Sequence, residues 1–157
     1  MVAVGRIRPV TMVDWPQAGA DGNDAIAIEL VTALNGTTAL TAGMAVILKK
    51  ASLTLETLAV DITTSTDDLE VCGMAYETIA AAGTGRIQIF GPTAVLKVDG
   101  TTDVAAGSHL GTITPAGTAA TSTTAHARFA TAMEAYATND ALGIIDALVL
   151  CRNMRGW

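Results

Sequence analysis

The chain is short of the side chains that carry chemistry and of those that stack. Its 157 residues include six aromatics, two cysteines, two histidines and three lysines. Few aromatics weigh against a carbohydrate-binding module, which offers exposed rings to sugars. Two cysteines are too few for a disulfide framework. Cys72 and Cys151 both sit in apolar runs, where a thiol acts as a small buried hydrophobe. No apolar run approaches the ~20 residues that cross a bilayer. The best, residues 141–151, is short and carries Asp146. The first residues lack a continuous apolar stretch before a small-residue cleavage site, so no signal peptide is expected. The expectation is a soluble protein made in a reducing compartment. The glycines show no period of three, and Glu and Lys are too sparse for heptads, which excludes collagen and coiled coil.

What is present is alanine and threonine. Ala occurs 29 times and Thr 23 times, about a third of the chain, and half of all residues are apolar. So apolar and weakly charged a chain does not stay disordered. At this length one domain can bury about two-thirds of its unfolded surface. The net charge is −6, but it is unevenly spread. Residues 1–13 carry Arg6 and Arg8 and no acid; residues 152–157 carry Arg152 and Arg155 and no acid. The stretch between holds five basic and fifteen acidic residues. An acidic body with basic ends is a poor nucleic-acid binder as a whole.

Along the chain, residues 1–24 read as an arm, because Pro9, Trp15-Pro16, Gly19 and Asp21-Gly22-Asn23-Asp24 are turn formers without periodicity. In residues 25–34, Ile26, Ile28 and Leu30 alternate like a strand, and Asn35-Gly36 gives a turn. From Gly43 the reading is mostly β: a short run at 44–48, alternation over 52–62, and a strand over 71–79. Gly83 and Gly85 then form a turn that permits positive φ. Arg86-Ile-Gln-Ile-Phe90 alternates, Gly91-Pro92 breaks the run, and residues 93–98 resume it. Asp99-Gly100 and Ala105-Ala-Gly107 are turns, and residues 108–114 pair briefly. Residues 115–125 read as a low-complexity loop of small side chains, and residues 143–151 as a near-continuous buried strand. Residues 128–137 fit both helix and strand. An internal echo favours strand: Met74-Ala-Tyr-Glu-Thr-Ile-Ala80 and Thr131-Ala-Met-Glu-Ala-Tyr-Ala137 share Ala, Glu and Ala at matching places. Each precedes a small-residue turn and an apolar strand, which suggests two similar hairpins.

No catalytic constellation emerges. Ser108 and His109 are neighbours, but neighbours on a strand face opposite ways, and no Gly-x-Ser-x-Gly elbow occurs. No Cys-x-x-Cys, His-x-x-x-His or spaced Asp loop marks a metal site. Asp67-Asp68 and Asp21/Asp24 suit solvated or capping roles. Gly83-Thr-Gly85 lies before a strand, whereas a dinucleotide loop follows one. Lys97 lacks the sequence context of a lipoyl-type carrier. The reading expects no enzyme, no cofactor and no metal. What remains is surface: Trp15 and Trp157 lie beside the basic ends, and Trp is enriched at interfaces.

The pattern Ala42-Gly43…Val46-Ile47-Leu48, then residues 72–91, then 95–98, then Val104-Ala-Ala-Gly107-Ser-His-Leu110 resembles the capsid decoration (cement) proteins of tailed bacteriophages. The closing Ala132-Met-Glu-Ala…Leu142-Gly143-Ile…Asp146-Ala-Leu-Val-Leu150 is similar to their final hairpin. The resemblance spans residues 40–151 and rests on glycine and alternation patterns. It implies a small β-sandwich or β-tulip domain with at most one or two short helices. Such a domain sits on the outer surface of the head, often as a homotrimer, and clamps neighbouring major capsid subunits, while its arms reach across the lattice.

On this reading residues 1–24 are the arm, 25–151 the decoration domain and 152–157 a tail. The candidate interface residues are Arg6, Arg8, Trp15, Pro16, Arg152, Arg155 and Trp157. The expected partners are the major capsid protein and further copies of the chain, with no nucleic acid and no membrane. Another virion part, a head-fibre base or minor tail module, stands as the alternative. A ligand-binding β module stands behind it.

Overall fold

The computed structural model describes residues 29–49, 58–137 and 142–150. The strands are β1 (Glu29–Asn35), β2 (Ala45–Leu48), β3 (Ala59–Ile62), β4 (Val71–Ala75), β5 (Thr84–Val98), β6 (His109–Ile113), β7 (Thr118–Thr121), β8 (Ala130–Ala132) and β9 (Gly143–Leu150). No helix occurs among the described residues. The chain is mainly β, and residues 128–137 contain a strand, as the echo suggested. The sequence-predicted arm and tail lie outside the described residues.

The pairings close into two rings that share one strand. β1, β3, β2, β4 and the first half of β5 form the first ring; the second half of β5 with β7, β6, β8 and β9 forms the second. Each ring has the same plan. β1 runs parallel to β3 and antiparallel to β5; the second half of β5 runs parallel to β7 and antiparallel to β9. Registers match too. Ala45 faces Met74 and Val46 faces Gly73 in the first ring, as His109 faces Thr131 and Leu110 faces Ala130 in the second. Met74 then faces Gln88, and Thr131 faces Leu148. Even the isolated bridges correspond, Leu40 with Ile79 and Val104 with Tyr136. The echo in sequence is therefore part of a duplication in structure, in which the aligned hairpins β4–β5 and β8–β9 are one element of two equivalent five-stranded units.

Several elements differ from the sequence expectation for definable reasons. Gly91-Pro92 does not end a strand, because β5 runs through it for 15 residues. Gly91 takes φ of 108°, and the buried Gln88 amide donates to the carbonyls of Gly91 and Pro92 at 2.9 and 2.8 Å. That side chain satisfies carbonyls at the bend where β5 passes from one ring to the other, a place in a ladder that tolerates proline. Residues 118–121 form β7 inside the stretch read as a loop. In the glycine turn, Ala82 rather than Gly83 or Gly85 takes positive φ. Gly85 instead makes room for Ile79, whose Cγ1 lies 2.5 Å from where a Cβ would stand.

The two cores explain the alanines. The first ring encloses Ala33, Leu40, Val46, Leu48, Val60, Cys72, Ala75, Ile79 and Ile87. The second core holds Leu96, Val98, Leu110, Phe129, Ile145 and Val149 with Ala119, Ala130, Ala132 and Ala147. A ring of so few strands has a narrow interior, which small side chains fill without strain. Ala45, Val71 and Met74, from the outer side of the first ring, belong to the second core. β4 is thus buried on both faces along its whole length. The units cannot separate without exposing Val71 and Met74, a cost of about 1.5–3 kcal/mol for each large apolar side chain.

A polar clasp adds to this contact. Asp67, in the loop after β3, donates its N–H to the Thr112 carbonyl at 2.7 Å. Its carboxylate accepts from Ser122 Oγ at 2.5 Å and Thr124 Oγ1 at 2.7 Å. A loop of the first unit is thereby tied to the second.

The duplication supplies its own control for one prediction. Gly43 and Gly107 occupy equivalent turns, with φ of 85° and 82° and N–H groups bonded to Ala75 and Ala132 carbonyls. A Cβ on Gly107 would meet nothing within 4 Å; on Gly43 it would lie 1.8 Å from the Val95 carbonyl oxygen. Gly107→Ala should cost only the left-handed backbone penalty, about 1–2 kcal/mol. Gly43→Ala should cost clearly more, about 3 kcal/mol or above, since backbone must move. Urea unfolding of the two variants reads the difference.

Candidate interaction surface

The alternation that fills the rings also decides what points outward. In β5, Ile87 points into the first core while Thr84 and Arg86 face solvent. In β9, Ile145, Ala147 and Val149 point into the second core, while Ile144 and Asp146 are exposed and Leu148 and Leu150 half-buried. This corrects the reading of residues 143–151 as a near-continuous buried strand over the described part, 143–150: apart from Asp146 the outward positions are themselves apolar, so hydrophobicity alone conceals the alternation.

The equivalent outer faces of the two units carry one shared device and different side chains. In the first unit, Glu77 Oε1 accepts the backbone N–H of Arg86 at 3.0 Å. In the second, Glu134 Oε1 accepts the backbone N–H of Asp146 at 2.9 Å. Each carboxylate pins the strand that follows its hairpin. In the first unit the pinned residue is a cation: Arg86 Nη2 and Nε reach the Glu77 carboxylate at 2.8 and 3.2 Å. Its guanidinium lies over the Tyr76 ring, 5.0 Å from the centroid. The hydrogen bond from Arg86 holds the Glu77 carboxyl below its usual range, and the same pair raises the Arg86 guanidinium.

In the second unit the corresponding positions are Met133, Glu134 and Asp146. Around them Met133, Leu142 and Ile144 are 59, 60 and 56% exposed. Lys97, cross-strand from Ile144, is held by Thr41 Oγ1. The first face is therefore a neutralised pair stacked on a tyrosine, flanked by Leu34, which lies across from Thr84. The second is an apolar patch bearing two carboxylates.

The sequence-predicted interface residues, Arg6, Arg8, Trp15, Pro16, Arg152, Arg155 and Trp157, lie outside the described residues. The points where their segments join the fold are described. Glu29 and Leu150 are both Cα partners of Phe90, on opposite sides of β5. The first and last described residues, Glu29 and Leu150, therefore flank one exposed aromatic. The sequence reading missed Phe90, Arg86 and Asp146 as surface features. The echo did place Tyr76-Glu77 opposite Met133-Glu134.

Of the residues considered for chemistry, Cys151, Asp21 and Asp24 lie outside the described residues. His109 is exposed and lies 3.4 Å from Thr131 Oγ1, and His126 is exposed on a loop. Cys72 is buried in the first core. Among the described residues no group of three or more His, Cys, Asp or Glu is placed to hold a metal ion.

Comparison with solved structures gives a match in fold. The chain is similar to the N base of the head fibre protein gp8.5 of bacteriophage phi29, at 15% sequence identity and a TM-score of 0.54. The match covers 78% of this chain and 94% of that one. At this identity the likeness is one of fold. No protein-family model matches the chain, and no curated protein matches it.

The Glu77–Arg86 pair yields a pH prediction. A carboxyl held below its unfolded value contributes stability that is complete above that value, near 4.5. That contribution fades as pH falls through the folded value. The pair is largely solvent-exposed, so its contribution is about 0.2–1 kcal/mol. Glu77→Gln should lower the neutral-pH stability by that small amount, and the deficit should shrink in acid and in high salt. Denaturant titrations at neutral pH and near pH 3 test this.

Proposed function

We propose that the chain is a structural component of a phage virion, bound to the outer surface of the head. There it stabilises the shell by bridging neighbouring major capsid subunits. The observation that carries the virion reading is the fold shared with a phage head-fibre base over most of both chains. The resemblance of residues 40–151 to capsid decoration proteins supports the same reading from the sequence side. The role is structural rather than catalytic, and the virion is assembled from protein made in the host cytoplasm.

Physical features favour a part used in many copies. Among the described residues each strand has a neighbour on both sides within the rings, which leaves little open sheet edge for uncontrolled strand addition between crowded copies. The acidic body repels like bodies before assembly. The basic ends of the sequence suit contact with an acidic capsid surface. A homotrimer would multiply modest single contacts into firm attachment.

A second reading has a specific observation behind it. The matched structure is the base of a head fibre, so this chain can equally be a base that carries a fibre at selected positions on the head. Copy number per particle separates the two. Occupancy of every equivalent lattice position identifies a cement protein; sparse occupancy identifies a fibre base.

Removing residues 1–15 tests the attachment common to both. The truncated chain should keep its thermal unfolding transition and lose binding to particles lacking the protein, measured by co-sedimentation. Full occupancy by the truncated chain would show that the arm is not the anchor.

A further inference from the structure

We propose that copies of this chain associate head to tail, the outer face of the second unit of one copy docking on the outer face of the first unit of the next. The donor face is Met133, Leu142 and Ile144 around Glu134 and Asp146. The acceptor face is Tyr76 and Leu34 around Arg86. This deepens the multi-copy reading above by naming the contact between copies.

The argument starts from the duplication. The two faces stand on equivalent backbone, each with a hairpin carboxylate pinning the following strand through its N–H. They have diverged in the residue so pinned. Arg86 stands on one, Asp146 on the other, and Tyr76 corresponds to Met133. One face offers an exposed guanidinium spread over a ring. The other offers carboxylates set among apolar side chains that are more than half exposed.

Packing the second face against its own copy would bring Glu134 and Asp146 onto like charges, which costs several kcal/mol. Packing it on the first face sets those carboxylates against Arg86 and lays Met133, Leu142 and Ile144 on Tyr76 and Leu34. Arg86 uses Nε and Nη2 on Glu77, and a guanidinium carries five donors, so a further carboxylate can be accommodated. Apolar burial supplies the affinity, and the charges fix register and direction. A contact between two different faces is heterologous, and repetition of a heterologous contact generates a closed ring when the rotation permits.

The test is a charge exchange in the full-length chain, read by light scattering after size exclusion and by sedimentation velocity. The wild type should associate. Asp146→Arg and Arg86→Glu, each confirmed folded by its unfolding transition, should each weaken association about tenfold or more. The double variant Arg86→Glu/Asp146→Arg should regain part of the loss, because a guanidinium again stands across the contact from a carboxylate, with the two exchanged between the faces. Ile144→Asp should weaken association without rescue by either charge change. A monomeric wild type overturns the proposal, as do single variants that associate normally or a double variant no better than the worse single.

Particle binding is measured separately on the same variants. Association that follows the charge pattern in a chain that never binds particles leaves this contact standing and removes the capsid reading. Particle binding with association indifferent to the charges does the reverse.

Discussion

Everything in the structure depends on β5 serving two rings. Its first half is paired with β1 and β4, its second half with β7 and β9. A strand shared in this way must bend without losing its ladder. Gly91 allows the bend, and Gln88 covers the carbonyls there with its amide. Gln88 is 1% exposed, so its side chain is committed to this task rather than to a ligand. Because the same backbone closes both rings, the two units cannot slide against each other. β4 then locks them by sending Cys72 and Ala75 into one core and Val71 and Met74 into the other.

Duplication explains why the two halves fold alike, and burial explains where they had to stay alike. The turn glycines, the bridges and the hairpin carboxylates all recur, since each satisfies backbone groups that both units share. The outer faces are free of that constraint. Arg86 and Asp146 sit on equivalent strands and have opposite charge, and the apolar side chains cluster on only one face. The buried positions have diverged as well, with Leu40, Ile79 and Ile87 standing where the second unit has Val104, Tyr136 and Ala147, but only the outer faces exchange one charge for its opposite.

Much of this frame was legible in the residues. Alternation found both halves of β5, because outward residues such as Arg86 and Lys97 stand between the inward Ile87, Leu96 and Val98; β2 was legible as a short apolar run and β4 as part of a strand over 71–79. The pairing of Met74-Ala-Tyr-Glu with Thr131-Ala-Met-Glu gave the correct register between the hairpins, since the buried Ala75 and Ala132 and the N–H-accepting Glu77 and Glu134 do the same work twice. β7 was not legible, because Thr118-Ala-Ala-Thr121 has no hydrophobic contrast for a period to act on. The run through Gly91-Pro92 was not, because the group that makes it possible is a glutamine three residues earlier. Ring closure is non-local: nothing near Phe90 in sequence signals Glu29 and Leu150 on its flanks.

The composition follows from the same geometry. A narrow ring has no room for many large rings of side-chain atoms, so the second core is built from alanines around Phe129, with Tyr136 half-buried beside it. Threonines take positions where a strand or loop needs both β propensity and a short donor. Thr112 shows this: it is buried in β6, with its hydroxyl donating to the Ser65 carbonyl and accepting from the Asp68 N–H. A core so filled leaves few large side chains anywhere. Among the described residues eight large apolar side chains are exposed, Phe90, Tyr76, Met133 and Ile144 among them. A scattered apolar residue on a surface needs no cause. Those set beside Glu29 and Leu150 or beside the pinned charges are the ones on which the proposed contacts rest.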